Sequence, residues 1–143
     1  MVVNAAAEAY NTAMQLRALI AEDEGPIRRF LEELCEANGF TVDSVSDGQP
    51  AYILLSSLMG RYDIVFLDIR MPEWNGYDTL SLLEGKEGNR KYIVATTGYL
   101  DPETEQYVNG HQNIIKTLTK PFSTGSIAEI LRDITINKIN KPN

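Results

Sequence analysis

The run Ile64-Val65-Phe66-Leu67-Asp68 decides the fold of this chain, because four apolar residues in succession end on a carboxylate. Short runs rich in β-branched and aromatic residues favour β-strands. Four comparable runs flank it, at residues 18–21, 40–45, 92–95 and 114–118. The chain therefore contains five predicted strands, and the third of them ends at Asp68.

The segments between these runs repeat apolar residues with helical spacing, which predicts amphipathic helices. The three clearest stripes are Ile27, Phe30, Leu31 and Leu34, then Ala51, Leu54, Leu55 and Leu58, then Ile127, Ile130, Leu131 and Ile134. Weaker helical patterns follow Gly76 and Asp101. Strands that alternate with helices predict an α/β fold, in which an open five-stranded parallel sheet carries helices on both faces.

Three residue types mark predicted helix ends. Gly39 occupies a C-cap position, and Asp101 followed by Pro102 is typical of a helix start. Ser123 is a candidate N-cap for the last helix.

The length of 143 residues suits one domain, which we place at residues 17–136. Residues 1–16 are alanine-rich, and we expect either a frayed leader or an extra helix that packs on the domain or on a second subunit. We expect residues 137–143 to form a frayed polar tail. The single cysteine, Cys35, is predicted to pack as a small apolar residue.

The net charge of −7 and the pI of about 4.7 argue against direct binding to nucleic acid or to acidic membranes. No apolar run approaches the roughly 20 residues that span a bilayer, and no secretory signal is evident. A cytoplasmic protein is the simplest prediction.

Polar side chains follow four of the predicted strands: Glu22-Asp23-Glu24, Asp68, Thr96-Thr97-Gly98, and Lys120-Pro121. In an open parallel sheet, ligands bind beyond the carboxyl ends of the strands. Crowded carboxylates repel one another, and a hard cation such as Mg²⁺ (or Mn²⁺) relieves this repulsion through oxygen ligands. A carboxylate can also attack phosphorus to give an acyl phosphate.

Four stretches of the chain, in order and at matching spacing, resemble the receiver-domain family of two-component response regulators. They are residues 18–24, 65–76, 93–98 and 120–122, within a resemblance that covers about residues 17–136. The resemblance implies a flavodoxin-like sheet with strand order 2-1-3-4-5 and a cis peptide bond between Lys120 and Pro121.

The resemblance also implies a role for each residue at the predicted site. Asp68 would be the phosphoacceptor, Asp23 a direct metal ligand, and Glu22 an acidic residue that acts through water. The backbone carbonyl of Arg70 would be a further metal ligand. The Thr97 hydroxyl would contact the phosphoryl group, and Lys120 would be the lysine that pairs with the negative charge of the site.

The function implied by the family is a signalling switch, and not an enzyme beyond its own phosphorylation and dephosphorylation. A histidine kinase or phosphotransfer protein would donate the phosphoryl group. A downstream protein partner would dock on the face formed by the fourth helix, the fifth strand and the last helix. The chain would be a monomer or a phosphorylation-dependent dimer.

Two positions depart from the family pattern. Thr117 stands where an aromatic residue usually swings inward on activation, and Gly98 replaces a common alanine. Tyr99 and Tyr107 are the candidate substitutes for the aromatic residue. The missing aromatic residue gives some weight to an alternative, in which the chain is a receiver-like scaffold that no longer accepts phosphate.

Two further alternatives come from other classes of protein. A phosphatase of the haloacid-dehalogenase type would need an aspartate at Arg70, and a flavodoxin-like nucleotide carrier would need a phosphate loop in place of Glu22-Asp23-Glu24. Outside the predicted site, we expect Gly76 to serve a tight turn, His111 to be an exposed loop residue, and Trp74 to have no functional role.

Overall fold

The computed structural model describes residues 5, 15–57, 62–71, 75–86, 88 and 90–140. Most of the predicted leader, Leu58 of the second apolar stripe, Trp74 and the last three residues of the predicted tail lie outside the described residues.

Five parallel strands form one sheet in the order β2-β1-β3-β4-β5, as the family resemblance implies. The strands are β1 (Leu16–Ala21), β2 (Phe40–Val45), β3 (Ile64–Asp68), β4 (Ile93–Thr97) and β5 (Ile114–Thr119). The three central strands are buried on both faces, which accounts for their unbroken apolar runs.

Five helices connect or follow the strands in the described part of the chain. They are α1 (Gly25–Ala37), α2 (Gly48–Ser57), α3 (Gly76–Leu83), α4 (Pro102–Gly110) and α5 (Thr124–Asn140). The α/β fold with helices on both sides of the sheet is therefore confirmed.

Two apolar clusters, one on each face of the sheet, form the core. Alternate residues of the central strands feed the two clusters: Leu19, Val65 and Leu67 face α2, α3 and α4, whereas Ile20 and Phe66 face α1 and α5. Cys35 is fully buried in the second cluster, as predicted.

The predicted helix ends are confirmed. Gly39 follows α1 with a φ of +88°, and the Asp101 side chain accepts a hydrogen bond from the Thr104 amide at the start of α4. The Ser123 hydroxyl accepts from the Ser126 amide at the start of α5. The two weaker helices, α3 and α4, also exist, and a capping box between Asn75 and Asp78 starts α3.

The ordered ends of the domain extend beyond the predicted bounds. β1 begins at Leu16, and α5 continues to Asn140, so residues 137–140 are helical instead of frayed. The Lys138 ammonium lies 3.1 Å from Asp63 Oδ1 and donates to the Gln15 carbonyl, which fastens the end of α5 to the start of β1.

The expectation of an exposed His111 is wrong, because only 5% of the residue is exposed. Its Nδ1 accepts from the Asn113 amide, and its Nε2 lies 3.1 Å from the Leu80 carbonyl. With Nδ1 acting as an acceptor, Nε2 carries the proton and donates to Leu80. The imidazole therefore joins the end of α4 to α3.

Among the described helices, none is both long and apolar enough to cross a bilayer.

Candidate functional site

The carboxyl ends of β1 and β3 bring three carboxylates together. Glu22 and Asp23 follow β1 directly, and Asp68 is the last residue of β3. One oxygen from each side chain lies within 4.8 Å of one oxygen from each of the others. Glu22 and Asp68 are almost fully buried, with exposures of 1% and 2%, so water screens their mutual repulsion poorly.

Lys120, which follows β5, places its ammonium among these carboxylates. Its Nζ lies 3.0 Å from Asp68 Oδ2 and 2.8 Å from Glu22 Oε1. Glu24 is mostly exposed, and its Oε1 is more distant from Nζ, at 3.6 Å. The Lys120 amide donates to the Thr97 carbonyl, and the following peptide bond to Pro121 is cis, as the resemblance implies.

Burial and crowding perturb the charges of this cluster. Burial, reinforced by the Asp68 carboxyl, raises the pKa of Glu22 from 4.5 to about 7. Burial alone would lower the pKa of Lys120, but its pairing with the Glu22 and Asp68 carboxylates outweighs burial and holds that pKa above its ordinary value. The cluster holds three carboxylates and one ammonium.

The donor set fits a hard divalent cation. Glu22 Oε1 is buried and, although it lies close to the ammonium, it has no partner with hydrogen-bond geometry. The ammonium offsets part of the charge on this oxygen, but a buried carboxylate oxygen without a hydrogen bond is costly. Glu22, Asp23 and Asp68 supply the carboxylate oxygens that Mg²⁺ prefers.

The loop after β3 holds the Asp68 carboxylate from its other side. The Arg70 amide donates to Asp68 Oδ1 over 2.9 Å, so each oxygen of Asp68 has its own donor. The Arg70 side chain turns away from the cluster, and its Nη2 lies 2.5 Å from Asp101 Oδ2 and 3.2 Å from Thr104 Oγ1.

Thr97 ends β4 at the same rim of the sheet, and its side chain is buried. Its hydroxyl donates to the Tyr99 carbonyl over 3.0 Å, which uses its one hydrogen. A bond from this hydroxyl to a group on Asp68 would therefore require the side chain to turn.

Thr117 is half-buried on β5, and Tyr99 is 67% exposed.

Gly76 serves a close approach, which sequence reasoning described only as a tight turn. A Cβ at this position would lie 2.5 Å from the Asp68 carbonyl oxygen and 2.8 Å from Ile69 Cα. The Gly76 amide donates to the Ile69 carbonyl. Only a residue without a side chain allows α3 to begin directly against the end of β3.

Comparison with known proteins agrees with this geometry. Residues 18–132 match the family described as the response regulator receiver domain. The chain belongs to this family. Receiver domains are phosphorylation-dependent signalling switches and not enzymes in the usual sense, they bind Mg²⁺ in the active site, and they interact with histidine kinases and downstream effectors.

Among curated proteins, this chain is 31% identical to the alkaline phosphatase synthesis transcriptional regulatory protein SphR of Synechococcus elongatus, over 88% of this chain and 51% of that protein. The chain thus spans about half the length of this relative.

Two solved structures illustrate the similarity. One is the receiver domain of the sensor histidine kinase PA1611 of Pseudomonas aeruginosa, described with a magnesium ion coordinated in the active site cleft. It is 26% identical with a TM-score of 0.69, over 85% of this chain and 98% of that chain. The other is a CheY-like receiver domain of Methanospirillum hungatei, 16% identical with a TM-score of 0.76, over 90% of this chain and 99% of that chain.

The structure brings together most of the residues that the sequence singled out. Glu22, Asp23, Asp68 and Lys120 meet at one rim, with the Arg70 backbone against Asp68, while Thr97 lies at that rim with its hydroxyl engaged elsewhere. Family membership decides against the dehalogenase-type phosphatase and the flavodoxin-like carrier. Sequence reasoning missed the contacts of the Arg70 side chain with Asp101 and Thr104, since no local pattern links residues more than thirty positions apart.

Proposed function

We propose that the chain accepts a phosphoryl group on Asp68, from a histidine kinase or a phosphotransfer protein, with Mg²⁺ or Mn²⁺ bound beside it. The observation that carries this proposal is the Lys120 ammonium between the buried Glu22 and Asp68 carboxylates. A structural ion pair would need one carboxylate, whereas this cluster gathers three beside a single ammonium, and two of them are almost fully buried.

The residues of the cluster have distinct roles in this proposal. An Asp68 carboxylate oxygen attacks phosphorus, and the new O–P bond forms as the P–N bond of a phosphohistidine breaks and its electron pair returns to the imidazole. The Arg70 amide and the Lys120 ammonium fix the orientation of the Asp68 carboxylate before the attack. Lys120 also stabilises negative charge on the transferring group. The Thr97 hydroxyl leaves Tyr99 and donates to a phosphoryl oxygen.

The proposed cation site uses the same rim. Asp23, Asp68 and the Arg70 backbone carbonyl would hold the ion directly, and Glu22 would act through water. When bound, the ion would neutralise the carboxylates and the phosphoryl oxygens during transfer. The magnesium ion in the PA1611 receiver domain supports this assignment.

Intact mass after incubation with acetyl phosphate and Mg²⁺ tests the proposal. We expect the wild-type chain to gain one phosphoryl group, and Asp68→Asn or chelation by EDTA to abolish the gain. Asp133→Asn, which neutralises an exposed carboxylate on α5, is the matched control and should behave as wild type. An unphosphorylated wild-type chain would instead favour a scaffold that no longer accepts phosphate.

The proposed docking face comprises α4, β5 and α5. β5 is an edge strand, and a groove between it and α5 is lined by residues of mixed character, including Lys91, Ile115, Lys116, Glu129 and Asp133. Ile115 is 37% exposed. If the phosphorylated chain dimerises through this face, sedimentation should show a beryllofluoride-dependent dimer that Ile115→Asp abolishes; a beryllofluoride-dependent dimer that survives Ile115→Asp would contradict this face.

The domain division and the cellular location remain predictions. We place the receiver domain at residues 17–136, extended by the observed helix to Asn140, and we expect it to work in the cytoplasm. Proteolysis that leaves a stable core with these ends would support the division.

A further inference from the structure

The Arg70 side chain is the centre of a polar network. This network joins the loop that follows Asp68, here called the acceptor loop, to helices α3 and α4. Its guanidinium contacts Asp101 and Thr104 at the start of α4. The Tyr77 hydroxyl, on α3, donates to Thr104 Oγ1 over 2.5 Å. The Tyr77 ring also packs on that of Tyr107, with ring centroids 5.0 Å apart.

The same residue contacts the acceptor through its backbone. The Arg70 amide donates to Asp68 Oδ1, so a single residue touches both the proposed phosphorylation site and the first turn of α4. The described contacts offer no comparable route through position 117, where Thr117 replaces the usual aromatic residue.

We propose that Arg70 is a positioning residue that holds the start of α4 against the acceptor loop through Asp101, and that phosphorylation of Asp68 releases α4 by drawing the guanidinium away. This inference rests on the proposed function. It assigns to Arg70 and Asp101 the coupling role for which Thr117 lacks an aromatic ring.

Charge competition is the physical basis of this exchange. A phosphoryl group carries about −1.5 to −2 charge. It replaces the single negative charge of the Asp68 carboxylate, so the net addition is roughly −1 at most, together with three acceptor oxygens two residues away from Arg70. A guanidinium pairs with phosphate in the same forked geometry that it uses with a carboxylate. The Arg70 side chain is 49% exposed, so it can turn without disturbing the core.

Release need not unfold the helix. Asp101 Oδ1 caps α4 by accepting from the Thr104 amide, whereas its other oxygen, Oδ2, accepts from Arg70. Loss of the arginine therefore leaves the cap intact. The expected change is more frequent opening of the first turn of α4.

Amide hydrogen exchange of residues 104–108 tests the inference in the full chain, with Mg²⁺ and with or without saturating beryllofluoride. Fluorine NMR of the bound ligand establishes saturation for each variant. In wild type, we expect beryllofluoride to speed exchange by roughly twofold to fivefold, the upper part of the range for loss of a partly exposed charged pair. Arg70→Gln should show that faster exchange without ligand, and ligand should then add less than about twofold.

Asp101→Asn is the second variant, because asparagine keeps the helix cap and removes the charge that holds Arg70. It should behave as Arg70→Gln does. Arg132→Gln, which removes an exposed positive charge on α5, is the matched control and should respond to the ligand as wild type does.

Two results would overturn the inference: Arg70→Gln exchanging at the rate of Arg132→Gln without ligand, or responding to bound beryllofluoride as strongly as wild type. A wild-type chain that shows no bound-ligand signal would instead refute the proposed function, on which the inference depends.

Discussion

Replacing Gly76 by alanine should destabilise the protein and impair the proposed phosphorylation of Asp68, because α3 begins against the backbone at the end of β3. The added Cβ would lie 2.5 Å from the Asp68 carbonyl oxygen, so the two must separate by about 0.9 Å to reach ordinary contact at 3.4 Å. Both contacting atoms belong to the backbone of β3 and its loop, which cannot rotate away as a side chain can.

The expected loss follows from two opposing effects. Overpacking of a well-packed site costs roughly 1–3 kcal/mol, and the advantage of alanine over glycine in a helix returns roughly 0.5–1 kcal/mol. We therefore expect the free energy of unfolding to fall by about 1–2 kcal/mol, with a melting temperature lower by roughly 4–8 °C. The shift also moves the Asp68 backbone, so the phosphorylation yield should fall.

Urea denaturation followed by circular dichroism measures this effect. Gly125→Ala is the matched control, since a Cβ there meets only the Ser123 hydroxyl at 3.9 Å in the first turn of α5. It should stabilise the protein by roughly 0.5 kcal/mol. If Gly76→Ala proved as stable as Gly125→Ala, the close approach of α3 to β3 would be wrong.

Three further predictions concern buried ionisable groups. Because burial raises the pKa of Glu22 to about 7, the folded metal-free chain holds a proton that the unfolded chain releases. The contribution of Glu22 to stability in EDTA, at most about 3 kcal/mol, should therefore be complete below about pH 4.5 and should be lost as the pH rises to about 7. Urea titrations between pH 5 and 8 measure this slope, and Glu22→Gln should flatten it; an equal slope in both proteins would contradict the assignment. Lys120→Met removes the ammonium that competes with a cation for Glu22 and Asp68. By calorimetry, Mg²⁺ should bind at least about fourfold more tightly while phosphorylation is lost, and weaker Mg²⁺ binding would count against the cluster as the metal site. Burial raises the pKa of the Cys35 thiol to about 12, so iodoacetamide at pH 8 should label the folded chain roughly a thousandfold more slowly than an ordinary thiol. Rapid labelling before urea is added would show that Cys35 is not buried as described.

The convergence of the site was predictable because it depends on strand direction alone. The carboxyl ends of parallel strands meet at one edge, so Glu22, Asp68 and Lys120 had to lie close together once their strands were assigned. Their order along the chain required no knowledge of side-chain packing.

The environment of His111 was not predictable in this way. Its neighbours in the sequence are polar, as in an exposed loop, yet the ring is buried because the Leu80 carbonyl on α3 and the Asn113 amide satisfy its two nitrogens. One of these partners lies 31 positions away in the chain. Only the packing of α4 against α3 shows that both partners are present.

The end of α5 was underestimated for a similar reason. Lysine and asparagine residues after Ile136 suggest fraying, but Lys138 pairs with Asp63, which is 75 positions earlier. The contact of Arg70 with Asp101, 31 positions apart, belongs to the same class. Polar contacts between distant segments carry no periodic signal, whereas apolar stripes do.

Borohydride trapping tests the central proposal most directly, since it reduces an aspartyl phosphate to homoserine and so marks the carboxylate that reacted. After treatment with acetyl phosphate and Mg²⁺, peptide sequencing by mass spectrometry should find homoserine at position 68 alone, and none when EDTA replaces the metal. Only an aspartyl phosphate gives homoserine, so this product cannot arise at Glu22. Homoserine at Asp23, or at any aspartate other than Asp68, would mark a different acceptor and would contradict the account.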